Sequence, residues 1–513
     1  MNSLKRKVLA TAVFAGLGVA GSAQAVYQDP HGLGQVLIYP YYTVQAADGN
    51  AYNTYISVVN TTADGKVVKV RFREGKNSRE VLDFNLYLSP NDVWTAAVIP
   101  ASATLGEDVP GRIITADASC TNPAIPAGGV NFRNLAYAGA NDDGGGETLD
   151  RTREGYVEMI EMATITNGLG VDPDSLTAIT HVSGVPDDCA AVRGPALSGV
   201  PGFTEDLAPP SGGLSGTGTL INVQNGSDAG YNAVALANFR AAAFYTDVGN
   251  EAGNLNQADP VSVVVSADTT GTRVYTADWT TSALAGFAVD AVSATMMHTN
   301  VINEFVLDAA TKSNTDWVVT FPTKRYYADI PAPGPAFTPF TEIFGGDCEP
   351  IEFTYFDREE AGAAAADGDF SPSPGPSGAS LCYEANVVSI RSGQGHNPSG
   401  DASGVLGSLN TTGINITDDL QNGWANLRFI GTNAVAGVGT GLNAPASIAN
   451  LAYNANSGLN ANGAAQQYLG LPVTGFMVRS FNNGTLTCAG ASCQGNYGSA
   501  FTHNYEDSIL PAP

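Results

Sequence analysis

The stretch Lys66-Val-Val-Lys-Val-Arg-Phe-Arg-Glu-Gly-Lys-Asn-Ser-Arg79 decides how this chain folds. Side chains of an extended strand alternate between its two faces, so Val68, Val70 and Phe72 point one way and Lys69, Arg71 and Arg73 the other. After the Gly-Lys-Asn-Ser connection, Leu82, Phe84, Leu86 and Leu88 alternate in the same way with Val81, Asp83, Asn85 and Tyr87. Opposed residues of an antiparallel pair share a face, so parity sets Phe72 opposite Leu82 and Arg71 opposite Asp83. The expectation is a hairpin with one apolar and one charged face, the unit from which β-sandwiches are built.

Working outward, more strands appear at near-regular spacing. Gln35 to Thr43 reads as a strand whose Pro40 confines it to an edge or a bulge, because proline donates no ladder hydrogen bond. Thr54 to Asn60 and Val93 to Ile99 are further strands, separated by turn clusters at Thr61–Gly65 and Ser89–Asp92. Tyr156 to Met162, Thr217 to Val223, Asp316 to Pro322, Ile351 to Glu359 and Val473 to Phe481 continue the pattern. One segment keeps helical period: Leu284, Phe287, Ala288, Ala291, Val292, Thr295 and Met296 share a face, with Ser282 as cap. The fold class expected is mainly β: tandem or composite Ig-like sandwich units with long Gly/Asn/Pro-rich loops and one or two short helices. The divisions expected are 1–25 as a leader, 26–115 as an N-terminal sandwich, 116–310 as a loop-rich β region with a helix near 282–297, and 311–513 as a second sandwich-like region.

Lys5, Arg6 and Lys7, the small apolar run Val8 to Ala20 and the Ala23-Gln-Ala25 site read as a secretory signal peptide. Its removal takes away three of the 23 basic residues and none of the 49 acidic ones, moving the net charge from −26 to −29. A surface so acidic argues against nucleic-acid binding, which needs cations to neutralise phosphates. No second apolar span follows the leader, so no transmembrane span is expected after cleavage. Six cysteines in an exported chain read as disulfides, and sequential pairing is simplest: Cys120–Cys189, Cys348–Cys382 and Cys488–Cys493.

Segments such as Gly34 to Tyr42, Val70 to Phe84, Arg153 to Glu161 and Asp316 to Arg325 resemble those of a broad set of exported proteobacterial proteins described only as cell surface proteins. The likeness is spread along most of the chain after the leader and carries no catalytic motif, so no functional residue transfers from it. It implies a surface-associated protein of a Gram-negative bacterium, placed at the cell surface, outside the cell or in the periplasm.

The chemistry-bearing patterns are few. There is no G-x-S-x-G, no H-E-x-x-H and no phosphate loop, and no enzymatic activity is expected. Glu158 and Glu161 have glycosidase-like spacing only on a helix; on a strand, residues three apart diverge, and they pair with Arg151 or Arg153 instead. Asn141, Asp142, Asp143 and Glu147 are hard oxygen ligands in a Gly-rich turn, a candidate calcium site whose rival reading is a solvated acidic loop. Lys66, Lys69, Arg71, Arg73, Lys76 and Arg79 form a candidate basic binding face; the rival is local pairing with Glu74, Glu80 and Asp83. The function expected is an exported structural cell-surface protein that self-associates into a layer or filament, or contacts outer-membrane components. The alternative is an adhesin or glycan binder using Tyr326, Tyr327, Phe337 and Phe340, and a polysaccharide-acting hydrolase ranks third.

Overall fold

In the computed structural model, residues 25–511 are described except 48, 167–173, 269–270, 280–287, 329–338, 341–347, 366–369, 372–378, 393–401, 418–419, 421, 431–449, 453–465 and 489–490. The leader expected at 1–25 therefore lies almost wholly outside the described residues, as do Ser282, Leu284, Phe287 and Phe337. The chain is mainly β, with only short helices among the described residues. None of those helices is long and apolar enough to cross a membrane.

The hairpin forms as parity requires. Strand Gly65–Glu74 pairs antiparallel with Glu80–Leu88, setting Phe72 against Leu82 and Arg71 against Asp83. It sits inside an eight-stranded sheet, in the order Tyr27–Gln28, Val234–Ala237, Val36–Thr43, Glu154–Ile165, Gly65–Glu74, Glu80–Leu88, Cys120–Asn122, with Leu207–Ala208 beside Glu154–Ile165. The opposing six-stranded sheet runs Val130–Asn131, Gly111–Ile114, Val93–Pro100, Asn53–Asn60, Leu214–Asn222, Ser227–Asn232. Between them Val68, Val70, Phe72, Leu86, Trp94, Val98, Val157 and Met159 form a buried core. Pro40 lies in an interior strand, but at an irregularity: Tyr42 pairs with Gly155 and Tyr39 with Val157, so Pro40 and Tyr41 together oppose Tyr156. A bulge is where a missing N–H is tolerated inside a sheet.

A second sandwich follows. One sheet runs Gly362–Ala364, Glu349–Asp357, Asn422–Phe429, Asn300–Val306, Asn504–Glu506. The other runs Phe370–Ser371, Thr411–Ile416, Ala385–Ser392, Asn314–Thr320, Thr474–Cys488, Ala491–Thr502, and contains one parallel pair, Ala385–Ser392 with Thr411–Ile416. Trp317, Phe353, Val388, Ile414, Leu427 and Met477 fill its interior. Positions 115 and 310 do not separate the sheets. Glu154–Ile165 and Leu214–Asn222 complete the first sandwich, and Asn300–Val306 enters the second. The expected helix is present as Ala288–Ala294, with Val289, Asp290, Ala291 and Val292 buried.

The two sandwiches share a seam. Val318, Ala385, Val387 and Phe476 turn outward from the second sandwich into the core of the first. Tyr231 stacks on Phe476, centroids 4.6 Å apart at 12°, and Thr320 Oγ1 donates to the Pro40 carbonyl at 2.6 Å. The Glu154 carboxylate is buried at this seam and accepts from Tyr41 Oη (2.7 Å), Gln45 Nε2 (3.2 Å), Ser408 Oγ (2.5 Å) and the Leu409 amide (2.9 Å). Four donors from both units offset the cost of burying that charge. Gly75 closes the seam with its backbone. Its carbonyl accepts from the Glu384 and Ala385 amides, and a Cβ there would meet Asn410 Nδ2 at 2.6 Å.

Two expected disulfides are present, Cys120–Cys189 and Cys348–Cys382. Cys488 and Cys493 lie on the paired strands Thr474–Cys488 and Ala491–Thr502, where Leu486 opposes Cys493, and their side chains fall outside the described residues.

Candidate functional site

The strand residues of the basic face do not reach solvent. Lys66, Lys69, Arg71 and Arg73 are fully buried, and all ten residues of Gly65–Glu74 are inside. Lys69 contacts the Asp83 carboxylate, Arg71 pairs with Glu80 at 2.9 Å, Arg73 with Glu158 at 3.0 Å, and Lys66 with Glu161 at 2.9 Å. A segment far along the chain covers Lys69, Arg71 and Arg73. Arg71 donates from Nη1 to the Gly253 carbonyl (2.8 Å) and from Nη2 to those of Asn250 (2.5 Å) and Ala252 (2.8 Å). Burial lowers the Lys69 pKa, with Asp83 opposing. Burial also works against charge on Arg73, yet the Glu158 carboxylate wins and holds the guanidinium's pKa well above its ordinary value. Lys76 and Arg79 sit at the hairpin turn, partly buried, where Lys76 Nζ donates to the Gly145 carbonyl and Arg79 Nε pairs with Asp143 at 3.0 Å. Four of the six residues expected to form a binding face are thus internal, and the two at the turn keep part of their surface in solvent. Alternation sets Lys69, Arg71 and Arg73 on one face, which the segment around residue 250 covers, while Lys66 lies on the opposite face against Glu161.

Glu158 and Glu161 diverge as strand geometry requires. Glu158 lies beside Arg71 and Glu161 beside Val68, on opposite faces of the sheet. Their ionic partners are Arg73 and Lys66, in place of the expected Arg151 and Arg153. Both carboxylates are occupied, and they do not form a pair.

The acidic turn is likewise engaged internally. Asp143 binds Arg151 through two hydrogen bonds of 2.7 Å and Arg79 through one of 3.0 Å. Burial pushes its carboxyl up, but the Arg151 and Asn77 hydrogen bonds win and hold it well below the usual carboxylate range. Asp142 Oδ1 accepts from the Gly144 amide, Glu147 Oε2 from the Gly139 amide, and Asn141 Nδ2 donates to the Leu135 carbonyl. The four expected calcium ligands thus hydrogen-bond to different partners, and Asp143 has both carboxylate oxygens held by arginine. Among the described residues no three His, Cys, Asp or Glu side chains converge as a metal site.

Aromatic residues mark the outer surface, though not those expected. Tyr327 and Phe340 are core residues, and Tyr326 Oη accepts from the Leu255 amide. Apart from Tyr55 on Asn53–Asn60, the exposed rings lie on strands of the second sandwich. Phe356 and Trp424 are cross-strand partners stacked at 4.7 Å and 19°, with Trp424 42% exposed. Glu304 opposes Trp424 on the next strand and reaches Arg479 Nη1 at 3.7 Å. The Arg479 guanidinium lies 4.8 Å from the Phe501 ring centroid and 5.6 Å from that of Phe481. Phe481 in turn stacks on Tyr497 at 4.7 Å and 19°. Tyr497 and Phe501 are nearly half exposed. A ribbon of five rings therefore crosses the surface with one arginine and one glutamate between its two stacked pairs.

Polar grooves border this ribbon. One of about 110 Å³ is lined by Phe481 together with Asn225, Asn314, Asn482, Asn496 and Lys312. Another of about 490 Å³ is lined by Phe501 with Thr217, Thr219, Asn232 and Thr502. Exposed ring faces beside amides and hydroxyls provide stacking and bidirectional hydrogen bonding, the chemistry of a polyhydroxylated ligand.

A separate cleft of about 340 Å³ brings together parts of the chain that the sequence keeps far apart. His298 Nδ1 meets Asp507 Oδ1 at 2.6 Å, and its ring stacks on Tyr505 at 4.2 Å and 18°. His503 is buried beside them, with Nε2 donating to the Val318 carbonyl (3.0 Å) and Nδ1 accepting from Asn303 Nδ2 (2.9 Å). Burial pulls its pKa down to about 4, against the opposing hydrogen bond to Val318. The alternation His503, Tyr505, Asp507 was the one signal in the sequence, since period two puts those three on a common face. Comparisons with protein-family models, with curated proteins and with solved structures find no match to this chain.

Proposed function

We propose that this is an exported cell-surface protein that binds glycans, using the ribbon from Phe356 and Trp424 to Phe481 and Tyr497 as its contact face. The observation that carries this reading is the exposure of two stacked aromatic pairs and Phe501 beside Asn/Ser/Thr-lined grooves. Large exposed apolar rings are costly to leave bare and mark interaction sites when they cluster. Export fits the two disulfides, which persist in oxidising compartments.

Two observations favour binding over assembly into a layer or filament. Four of the six cations that would meet an acidic neighbour are internal. The edges of the two sandwiches are also poor templates. Tyr27–Gln28, Cys120–Asn122, Val130–Asn131, Gly362–Ala364, Phe370–Ser371 and Asn504–Glu506 are two or three residues long. The longer edges of the two sandwiches, Ser227–Asn232 and Ala491–Thr502, lie against each other at the seam, where Asn496 Nδ2 donates to the Asn225 carbonyl. Short or covered edges block strand addition.

The test is binding of the purified chain to a glycan array and to insoluble polysaccharides. Trp424→Ala, Tyr497→Ala and Phe501→Ala are measured alongside it. Retention of the wild type on a defined glycan class, with at least tenfold weaker binding by the variants at unchanged melting temperature, is expected. Failure of the wild type to bind any glycan, or equal binding by all three variants, refutes the reading.

A further inference from the structure

Acceptors predominate among the open polar atoms of the cleft around His298. A carboxylate only accepts, so the 2.6 Å bond to Asp507 places a proton on His298 Nδ1. In the neutral imidazole Nε2 is then an acceptor, and it has no partner among the described residues. Gln28 donates its Nε2 to the Thr295 carbonyl at 3.0 Å, which leaves its Oε1 open. Asp29 accepts the His31 amide on Oδ1 at 2.6 Å and keeps Oδ2 open. Among the described residues lining the cleft there is no Lys or Arg, and the formal charges are those of Asp29 and Asp507. One wall is apolar, formed by Val263, Val264, Val265 and Met297, with the Tyr27 and Tyr505 rings, and Thr295 and the Asn504 amide add polar lining.

We infer that this cleft binds a small organic ammonium ion. An ammonium group carries several N–H donors and no acceptor, the complement of a lining whose unpaired atoms are mostly acceptors. Two carboxylates supply the opposite charge, tyrosine rings suit a cation, and the valine wall suits an alkyl chain. The same inventory disfavours carboxylates and phosphates, which would set acceptor against acceptor and anion against anion. The cleft's lining includes none of the ribbon's rings, so this inference stands apart from glycan binding.

Isothermal titration of the full chain with putrescine as probe, and with glutarate as its anionic counterpart, tests the inference. Saturable one-to-one binding of putrescine and none of glutarate is expected. Asp29→Asn keeps an acceptor for the His31 amide while removing the charge, and is expected to weaken putrescine binding at least tenfold. Trp424→Ala is expected to leave it unchanged. Absence of saturable putrescine binding overturns the inference. So does affinity unaltered in both Asp29→Asn and Gln28→Leu at a melting temperature equal to wild type, because that pattern is diffuse attraction to an acidic surface.

Discussion

The Arg73 guanidinium meets the Glu158 carboxylate at 3.0 Å with both side chains wholly removed from solvent. They come from neighbouring strands of the eight-stranded sheet, and each neutralises a charge the other could not leave in a core. Glu158→Ala strands the guanidinium, and a loss of about 3–5 kcal/mol is expected. Arg73→Met combined with Glu158→Leu is expected to recover most of it, since an apolar pair of similar volume needs no compensation. Urea unfolding followed by tryptophan fluorescence measures both variants, and a double variant no more stable than Glu158→Ala contradicts the argument.

Arg71 fastens the covering segment through three backbone carbonyls, those of Asn250, Ala252 and Gly253. Arg71→Met removes these bonds but keeps most of the side-chain volume. Faster proteolytic cleavage between residues 247 and 253 is expected, read by mass spectrometry of the fragments. Cleavage at the wild-type rate means the segment is held by something else.

Stability is expected to fall in acid through His503. Its folded pKa of about 4 lies below the ordinary 6.5, so between those values the unfolded chain binds the proton more tightly. The contribution of the neutral ring is complete above pH 6.5 and is lost as pH falls towards 4, a change of about 3 kcal/mol. His503→Gln is expected to be less stable at neutral pH and to lose less between pH 7 and pH 4. Parallel pH dependences for variant and wild type rule out His503 as the source.

The Cys120–Cys189 disulfide joins residues 69 apart in sequence. Constraining a loop of that length in the unfolded chain is worth about 4 kcal/mol. Cys120→Ser with Cys189→Ser is therefore expected to lower the melting temperature by several degrees. Calorimetry of the double variant checks this, and an unchanged transition means the surrounding packing already orders the loop.

Much of the architecture was legible in the sequence because β-structure is encoded with a short period. The pairing of Phe72 with Leu82 and Arg71 with Asp83 followed from parity, as did the divergence of Glu158 and Glu161. The Cys120–Cys189 and Cys348–Cys382 pairs followed from order along the chain. Each of these depends on neighbours in sequence or on simple alternation.

What tertiary structure alone decided is which face meets water. Alternation separated Lys69, Arg71 and Arg73 from Val68, Val70 and Phe72 without saying that the charged side would be roofed by residues near 250. Tyr327 and Phe340 looked available for binding and are core, whereas Trp424 and Tyr497, unremarkable in sequence, are exposed. The seam through Glu154 and the cleft joining His298 to Asp507 likewise bring together residues more than 200 apart in the chain. Burial depends on every segment that packs against a residue, and a charge tolerates it wherever distant partners complete its hydrogen bonds; no local pattern carries that information.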